Sequence, residues 1–340
     1  MVTFRNPLAN REAAADSIVG HRNKDGRNAL DVMDEADALF TVHYPPARYW
    51  DERGSTVDDY PIPRHKEGKN RDIPLCKWIV RDDNNEVLGW HGGTYPEAES
   101  YRYLGELAER MFPDSTTGCK LIGNGERMML TQDISDHIDI GSGDVIQPQV
   151  LWITSMNATW STAVLDSMFR WFCSNQIVMG DALFKCRHTE NHDYTLEQRA
   201  WVLEESMRRA NNFAAMAKVM NDQEYTDNQF KQLTEQLVPD PKPLPGDIEV
   251  NPMRWTLVNK KRDHMVNKWE EECASWGETV AFDQHNRGNR WLAYNAIQGA
   301  EQHNIMTGNK DTDVAKEKAL VKAIDGRTPL THRALQLLAA

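Results

Sequence analysis

The sequence predicts an α+β fold, with a mixed, largely antiparallel sheet over about 77–190, helices packed on it, and a helical C-terminal half. Three observations carry this expectation. After Lys77, apolar runs of strand length alternate with Asp, Asn and Gly clusters, the pattern of hairpins. After Asp193, stretches with a 3.6-residue apolar period open on helix-capping residues. The two kinds of segment are segregated along the chain, which separates an α+β fold from an alternating α/β one.

Residues 1–64 read as a polar, Pro-rich lead-in that is loosely attached, with one amphipathic helix over 29–40. Pro45, Pro46, Pro61 and Pro63 make its second part an extended connector, because proline lacks the helical donor. The sheet core is expected over 65–193. Trp78, Ile79 and Val80 run into Arg81, Asp82, Asp83, Asn84 and Asn85, and then into Val87, Leu88 and Trp90, a hairpin with a loop longer than the tightest kind. Leu104, Leu107, Ala108 and Met111 place a helix over 101–112. Strands follow at 119–122, 127–131 and 150–154, with turn chemistry at Gly141, Ser142, Gly143 and Asp144. Segments 163–172 and 182–186 have strand composition, although the first fits a short buried helix equally well.

A helical segment is expected over 194–238. Thr195 with Gln198 forms a capping box, in which the hydroxyl takes a free backbone N–H while the amide reaches back. Leu196, Ala200, Leu203, Met207, Ala210, Ala214 and Ala217 lie behind it as one core stripe. Thr226 with Gln229 repeats the signal for a shorter helix ending before Pro239. Residues 239–247 form a stiff Pro-rich linker. The C-terminal helical part, 248–304, holds helices near 256–275 and 290–302, and 305–340 is a polar tail with a weak helix over 314–324.

Composition narrows the function classes. The 340 residues are 40% apolar and carry 11 Trp, which supplies enough burial to offset chain entropy and excludes wholesale disorder. The strongest apolar run, 150–154, is strand-sized, so no membrane partner is expected. The N-terminal residues lack the apolar stretch of a secretory signal, which makes the cytoplasm the expected compartment. Five scattered cysteines without a CxxC pair read as free thiols rather than a disulfide framework. A net charge of −12 opposes coating of duplex DNA by the overall field. The charge is uneven: residues 71–160 hold 7 cations against 14 acids, whereas 246–340 hold 13 of each, so a nucleic-acid face belongs near the C-terminal end.

Four constellations bear on chemistry. Cys186, His188 and His192, with Cys173 upstream, have metal-ligand types, but no second paired motif completes a tetrahedral set, and hydrogen-bonding histidines at a strand end are the favoured reading. Asp133, Asp136, His137, Asp139 and Asp144 lack the spacing of a calcium loop and read as a solvated connection. Gly89, Trp90, His91, Gly92 and Gly93 lack a phosphate-loop pattern and read as a tight bend after a strand. Lys260, Lys261, Arg262, Arg287, Arg290 and Trp291 combine cations that neutralise phosphates with an aromatic able to stack on an unpaired base. The competing reading of this last group is a solvated helix face, given Glu270, Glu271 and Glu272 beside Lys268. No catalytic triad, metal set or nucleotide loop supports an enzyme, and no cofactor is expected.

Several segments in order resemble one family. They are Asn28, Ala29, Leu30 and Asp31 through Val42 and Pro46; Val80 to Asp83 with Val87, Leu88, Gly89 and Tyr95; and Gly143 and Asp144 with Leu151, Thr154 and Ser155. They continue with Arg170, Cys173 and Asn175; Arg187, His188, Thr189 and Asn191; and Asn289, Trp291, Tyr294, Asn295, Ala296 and His303. The series resembles the phage/plasmid-like protein family, also known as domain of unknown function 932, over most of 28–304. The resemblance implies a home in phages, plasmids and prophages, inside a bacterial host, and no set activity. After Ser155 the family pattern is His-Asp-Gly, whereas this chain has Met156, Asn157 and Ala158. Neither Met nor Asn transfers protons near neutral pH, so the segment reads as a polar turn with Asn157 as its hydrogen-bonding residue. The expected function is that of a phage- or plasmid-type accessory protein without clear enzymatic chemistry that binds single-stranded nucleic acid in recombination or replication. The alternative is a protein-interaction or virion-associated component whose partners are phage or plasmid proteins.

Overall fold

The computed structural model describes residues 26–50, 70–92, 101–141, 143–170, 176–186, 196–245, 249–279, 288–302 and 313–339. Two antiparallel sheets are followed by a helical C-terminal half, which is the α+β architecture expected. In the first sheet, β3 (Asn70–Arg81) pairs along one edge with β2 (Pro46–Trp50) and β1 (Val42–His43) and along the other with β4 (Val87–Gly92). The second sheet runs β5 (Thr116–Ile122), β6 (Arg127–Asp133), β8 (Asp144–Ser155), β9 (Thr162–Arg170) and β10 (Gln176–Cys186). The short β7 (Ile138–Gly141) pairs with the start of β8. Pro148 falls where the partner of β8 changes from β7 to β6, an irregularity where a missing backbone donor is tolerated.

Alternation along the central strands sends apolar side chains to both faces of the second sheet. Met128, Leu130, Val150, Trp152 and Val164 belong to a core shared with α1 (Ala29–Glu35) and α2 (Tyr101–Met111). Met129, Leu151, Ile153, Ala163 and Leu165 face the other way and pack with Leu320 and Ile324 of α7 (Asp313–Ile324). A sheet buried on both faces reads as continuous apolar runs, which is why 163–172 was ambiguous; it is the strand β9.

The helical half is built on α6 (Arg290–Gln302), which packs against α3 (Leu196–Asn221), α5 (Pro252–Thr279), α7 and α8 (Pro329–Leu338). Between α3 and α5 lies α4 (Asp227–Leu237), opened by the predicted Thr226/Gln229 capping box. Trp269 of α5 stacks on Phe230 of α4 at 4.7 Å and donates to Asp227 at 2.9 Å, fastening the two helices.

Four expectations are corrected. The lead-in is not loose throughout: Ala29, Val32 and Met33 are buried in the core, and β1 and β2 join the first sheet. Its prolines 61 and 63 lie outside the described residues. The acidic stretch holds a strand, β7, so it is more than a loop. The tail ends in an unpredicted packed helix, α8, whose Thr331, Ala334 and Leu338 are buried. The stripe on α3 is rotated in its first half: Val202 and Ser206 are buried, while Leu203 and Met207 are only partly covered. A polar attachment accounts for the rotation, because Arg209 and Ser206 engage the buried Asp166 of β9. The 239–247 linker is held in place over its described part, with Arg262 donating to Val238 O and pairing with Asp240, and Arg254 bonded to Lys242 O.

Candidate functional site

The residues singled out in the sequence separate into three places. The first is a buried ion cluster where the sheet meets the helices. Arg170, at the end of β9, donates through Nε to Asp144 Oδ2 at 2.7 Å and through Nη1 to Glu272 Oε2 of α5 at 2.7 Å. Trp291 Nε1 of α6 donates to the same Asp144 oxygen at 2.8 Å. Asp144, Arg170 and Trp291 are all at most 1% exposed. Burial pushes the Asp144 carboxyl above the ordinary range, while Arg170 and the Trp291 N–H pull it back. Asn295 donates to Trp291 O one turn back, placing four positions of the family series, Asp144, Arg170, Trp291 and Asn295, in one cluster. Its chemistry is the docking of four elements by charge-assisted hydrogen bonds.

The second place is the opposite end of β8, roughly 35 Å away at about 3.3 Å per residue. Ser155 Oγ donates to Trp160 O and accepts from Trp160 N, both at 2.9 Å, closing the turn between β8 and β9. Asn157 Oδ1 accepts from Thr159 N at 3.2 Å and from Thr159 Oγ1 at 2.6 Å, an Asx turn of the kind Asp also makes. Ala158 has φ of 57°, the left-handed region that glycine adopts without strain. Ala158→Gly is therefore expected to stabilise the fold by about 0.5–1 kcal/mol, since relief of strain exceeds the added chain entropy, as read from the urea midpoint. Gly89 of β4 abuts this turn, and a Cβ there would lie 2.8 Å from Asn157 Cα. Close approach of two backbones, rather than a bend alone, accounts for that glycine.

A cleft of about 410 Å³ opens beside the turn. Its walls are Ile122, Gly123, Glu126 and Arg127 from the β5–β6 hairpin, Asn157 from the turn, and Glu317, Lys318, Val321 and Lys322 from α7. Arg127 donates through Nε to Thr159 Oγ1 at 2.7 Å and lies 5.0 Å over the Trp160 ring, which fixes its guanidinium at the rim. Trp160 Nε1 donates to Asp325 at 3.0 Å and so ties the turn to the end of α7. The sequence reading missed this cleft. Lys318 and Lys322 share a helix face at i,i+4, but only the fold brings that face to Arg127.

The third place is the expected nucleic-acid patch on α5 and α6, which the structure breaks up. Trp291 is 0% exposed and stacks on Tyr294 at 5.6 Å, so no base can reach it in the folded chain. Arg290 donates to Leu338 O and Arg262 holds the 239–245 segment. Lys260 and Lys261 are exposed on α5. Within about two turns before them, the half-buried Arg254 accompanies the exposed Met253, Trp255 and Leu257. Trp255, 37% exposed, is thus the exposed aromatic nearest to these lysines along the helix. Arg287, Cys173, Asn175, Arg187, His188, Asn191 and His303 lie outside the described residues, as does His192.

The remaining candidates for chemistry are accounted for structurally. Asp139 accepts from Gly141 N at 2.7 Å, Asp133 accepts from Gln149 at 2.6 Å, and Asp144 enters the ion cluster, so the acidic stretch disperses. Burial pushes the Cys119 and Cys273 thiols up to about 12, which leaves both without thiolate at neutral pH.

No curated protein and no solved structure matches this chain. The model of the family described as "Domain of unknown function (DUF932)" matches residues 94–323, a span that holds the second sheet, the ion cluster, the cleft and α3 to α7. With more than half its length matched, this chain belongs to the DUF932 family.

Proposed function

We propose that this protein is a phage- or plasmid-type accessory protein that binds single-stranded nucleic acid through the first turns of α5. The observation carrying this reading is the exposure of 255–257 and 259–261 in the first turns of α5, a stretch that holds Trp255, Lys260 and Lys261. Cations there neutralise phosphates, and a partly exposed indole offers a face to an unpaired base. Within that stretch Asp263 is the one acid between residues 252 and 269, so the local charge is positive although the chain is acidic.

Fluorescence anisotropy of a labelled single-stranded oligonucleotide across a salt series tests this reading. The slope of log affinity on log salt should fall by about 1.4 in Lys260→Gln/Lys261→Gln, at roughly 0.7 per phosphate contact. Trp255→Ala should weaken binding by about 1–3 kcal/mol. An absence of binding at low salt, or an unchanged slope in the folded double variant, rejects the assignment.

A second reading, contact with another phage or plasmid protein, is favoured by a different surface. Trp78 and Trp90 are register partners on β3 and β4, 36% and 61% exposed, beside Val87 at 50%. Asp82, Asp83 and Glu86 border them, and that negative charge suits a basic, apolar protein segment better than a phosphate chain.

A further inference from the structure

We propose that the cleft between the β5–β6 hairpin, the β8–β9 turn and α7 binds a nucleoside monophosphate. Its volume, about 410 Å³, is within the range that takes small organic ligands. Its polar groups are sorted in a way that fits such a molecule. Lys318 and Lys322 have no ion-pair or hydrogen-bond partner among the described residues, and they stand at i,i+4, a like-charge spacing that disfavours the bare helix. Arg127 spends only Nε, on Thr159, so both of its terminal nitrogens remain available at the facing wall. Asn157 spends Oδ1 on its own turn and keeps its amide N–H donors. An anion placed among Arg127, Lys318 and Lys322 would relieve the repulsion on α7 and meet donors from three elements.

The two carboxylates of the cleft bond to hairpin backbone amides instead of pairing with those cations. Glu126 Oε2 accepts from Asn124 N at 2.6 Å, and Glu317 Oε2 accepts from Gly123 N at 3.4 Å. Their other oxygens remain acceptors, suited to sugar hydroxyls rather than to a phosphate. Ile122 and Val321 supply the apolar surface that a base requires. Donors for a phosphate, acceptors for hydroxyls and an apolar wall together describe a mononucleotide better than inorganic phosphate, which needs neither of the last two. The cleft shares no residue with the α5 surface, so this inference and the oligonucleotide reading stand or fall separately.

Isothermal titration calorimetry of the full chain at low salt, with adenosine monophosphate and adenosine as probes, tests the proposal. The monophosphate should bind saturably, and the nucleoside at least 10-fold more weakly. Lys318→Gln/Lys322→Gln changes two exposed side chains and should lower affinity for the monophosphate at least 10-fold. Asn157→Asp keeps the turn's acceptor, adds a negative charge at the rim, and should also weaken binding. Unchanged melting temperatures would show that both variants remain folded. No saturable heat with the monophosphate at millimolar concentration overturns the proposal. Equal affinity for the nucleoside, or native affinity in both variants, also overturns it.

Discussion

Replacing Arg170 by Met should cost about 3–5 kcal/mol of folding stability, because it strands a buried carboxylate. Asp144 is 0% exposed, and Arg170 is its only charged partner at hydrogen-bond distance among the described residues. The same change frees Glu272, whose side chain is 14% exposed and can regain water, so Asp144 dominates the loss. The deficit should depend on pH with a definite sign. Burial raises the folded-state pKa of Asp144, and without Arg170 the raising effect is opposed only by the Trp291 N–H. A carboxyl with a raised folded pKa favours the fold below its unfolded value, near 3.8, and loses that contribution as pH rises through the folded value. The gap between native and Arg170→Met should therefore narrow in acid and widen toward neutrality. Adding Asp144→Asn removes the stranded charge while keeping an acceptor for Trp291, and should recover more than half of the loss. Urea unfolding followed by circular dichroism at several pH values measures all three variants, and a pH-independent deficit in Arg170→Met would contradict the account.

What the sequence made legible follows the range over which each interaction acts. The α6 helix was readable at its observed limits, 290–302, because an apolar-rich stretch broken only by Asn295 and Gln298 before Glu301 follows a basic start. The Thr226/Gln229 box was readable because both partners lie within a single turn. The strand β7 was not, although its turn at 141–144 was, since the strand is four residues long and offers only Ile138 and Ile140 around Asp139. The α8 helix announced itself only by Thr328 and Pro329, a start signal without a long apolar run behind it. The site fared worse for a physical reason. Arg170 meets Glu272 across 102 residues of chain, and Arg127 meets α7 across nearly 200, so neither juxtaposition leaves a local trace. Charge near an aromatic looks alike in sequence whether it faces phosphate or a buried carboxylate. Trp291, three residues after Gly288 and next to Arg290, shows how this ambiguity resolves: its N–H binds Asp144, and its ring joins the core.

That placement sets the second large effect. Trp291→Ala should destabilise the fold by about 3–5 kcal/mol, the range for removing a fully buried aromatic. The indole is 0% exposed, packs edge-on against Phe213 at 5.9 Å, stacks on Tyr294 at 5.6 Å and lies 5.6 Å from the Arg170 guanidinium. Trp291→Phe separates packing from hydrogen bonding. It keeps a ring in the stack but withdraws the donor from Asp144, which should cost about 1–3 kcal/mol for a buried acceptor left short of a partner. Affinity for single-stranded oligonucleotide gives the distinguishing readout. At temperatures where both variants remain folded, each should bind as the native chain does, because the ring lies inside the helical core and the proposed contact lies on α5 around Trp255. A drop in oligonucleotide affinity for folded Trp291→Phe, without a matching drop for Trp255→Ala, would return the binding surface to α6 and require α6 to open before it could bind.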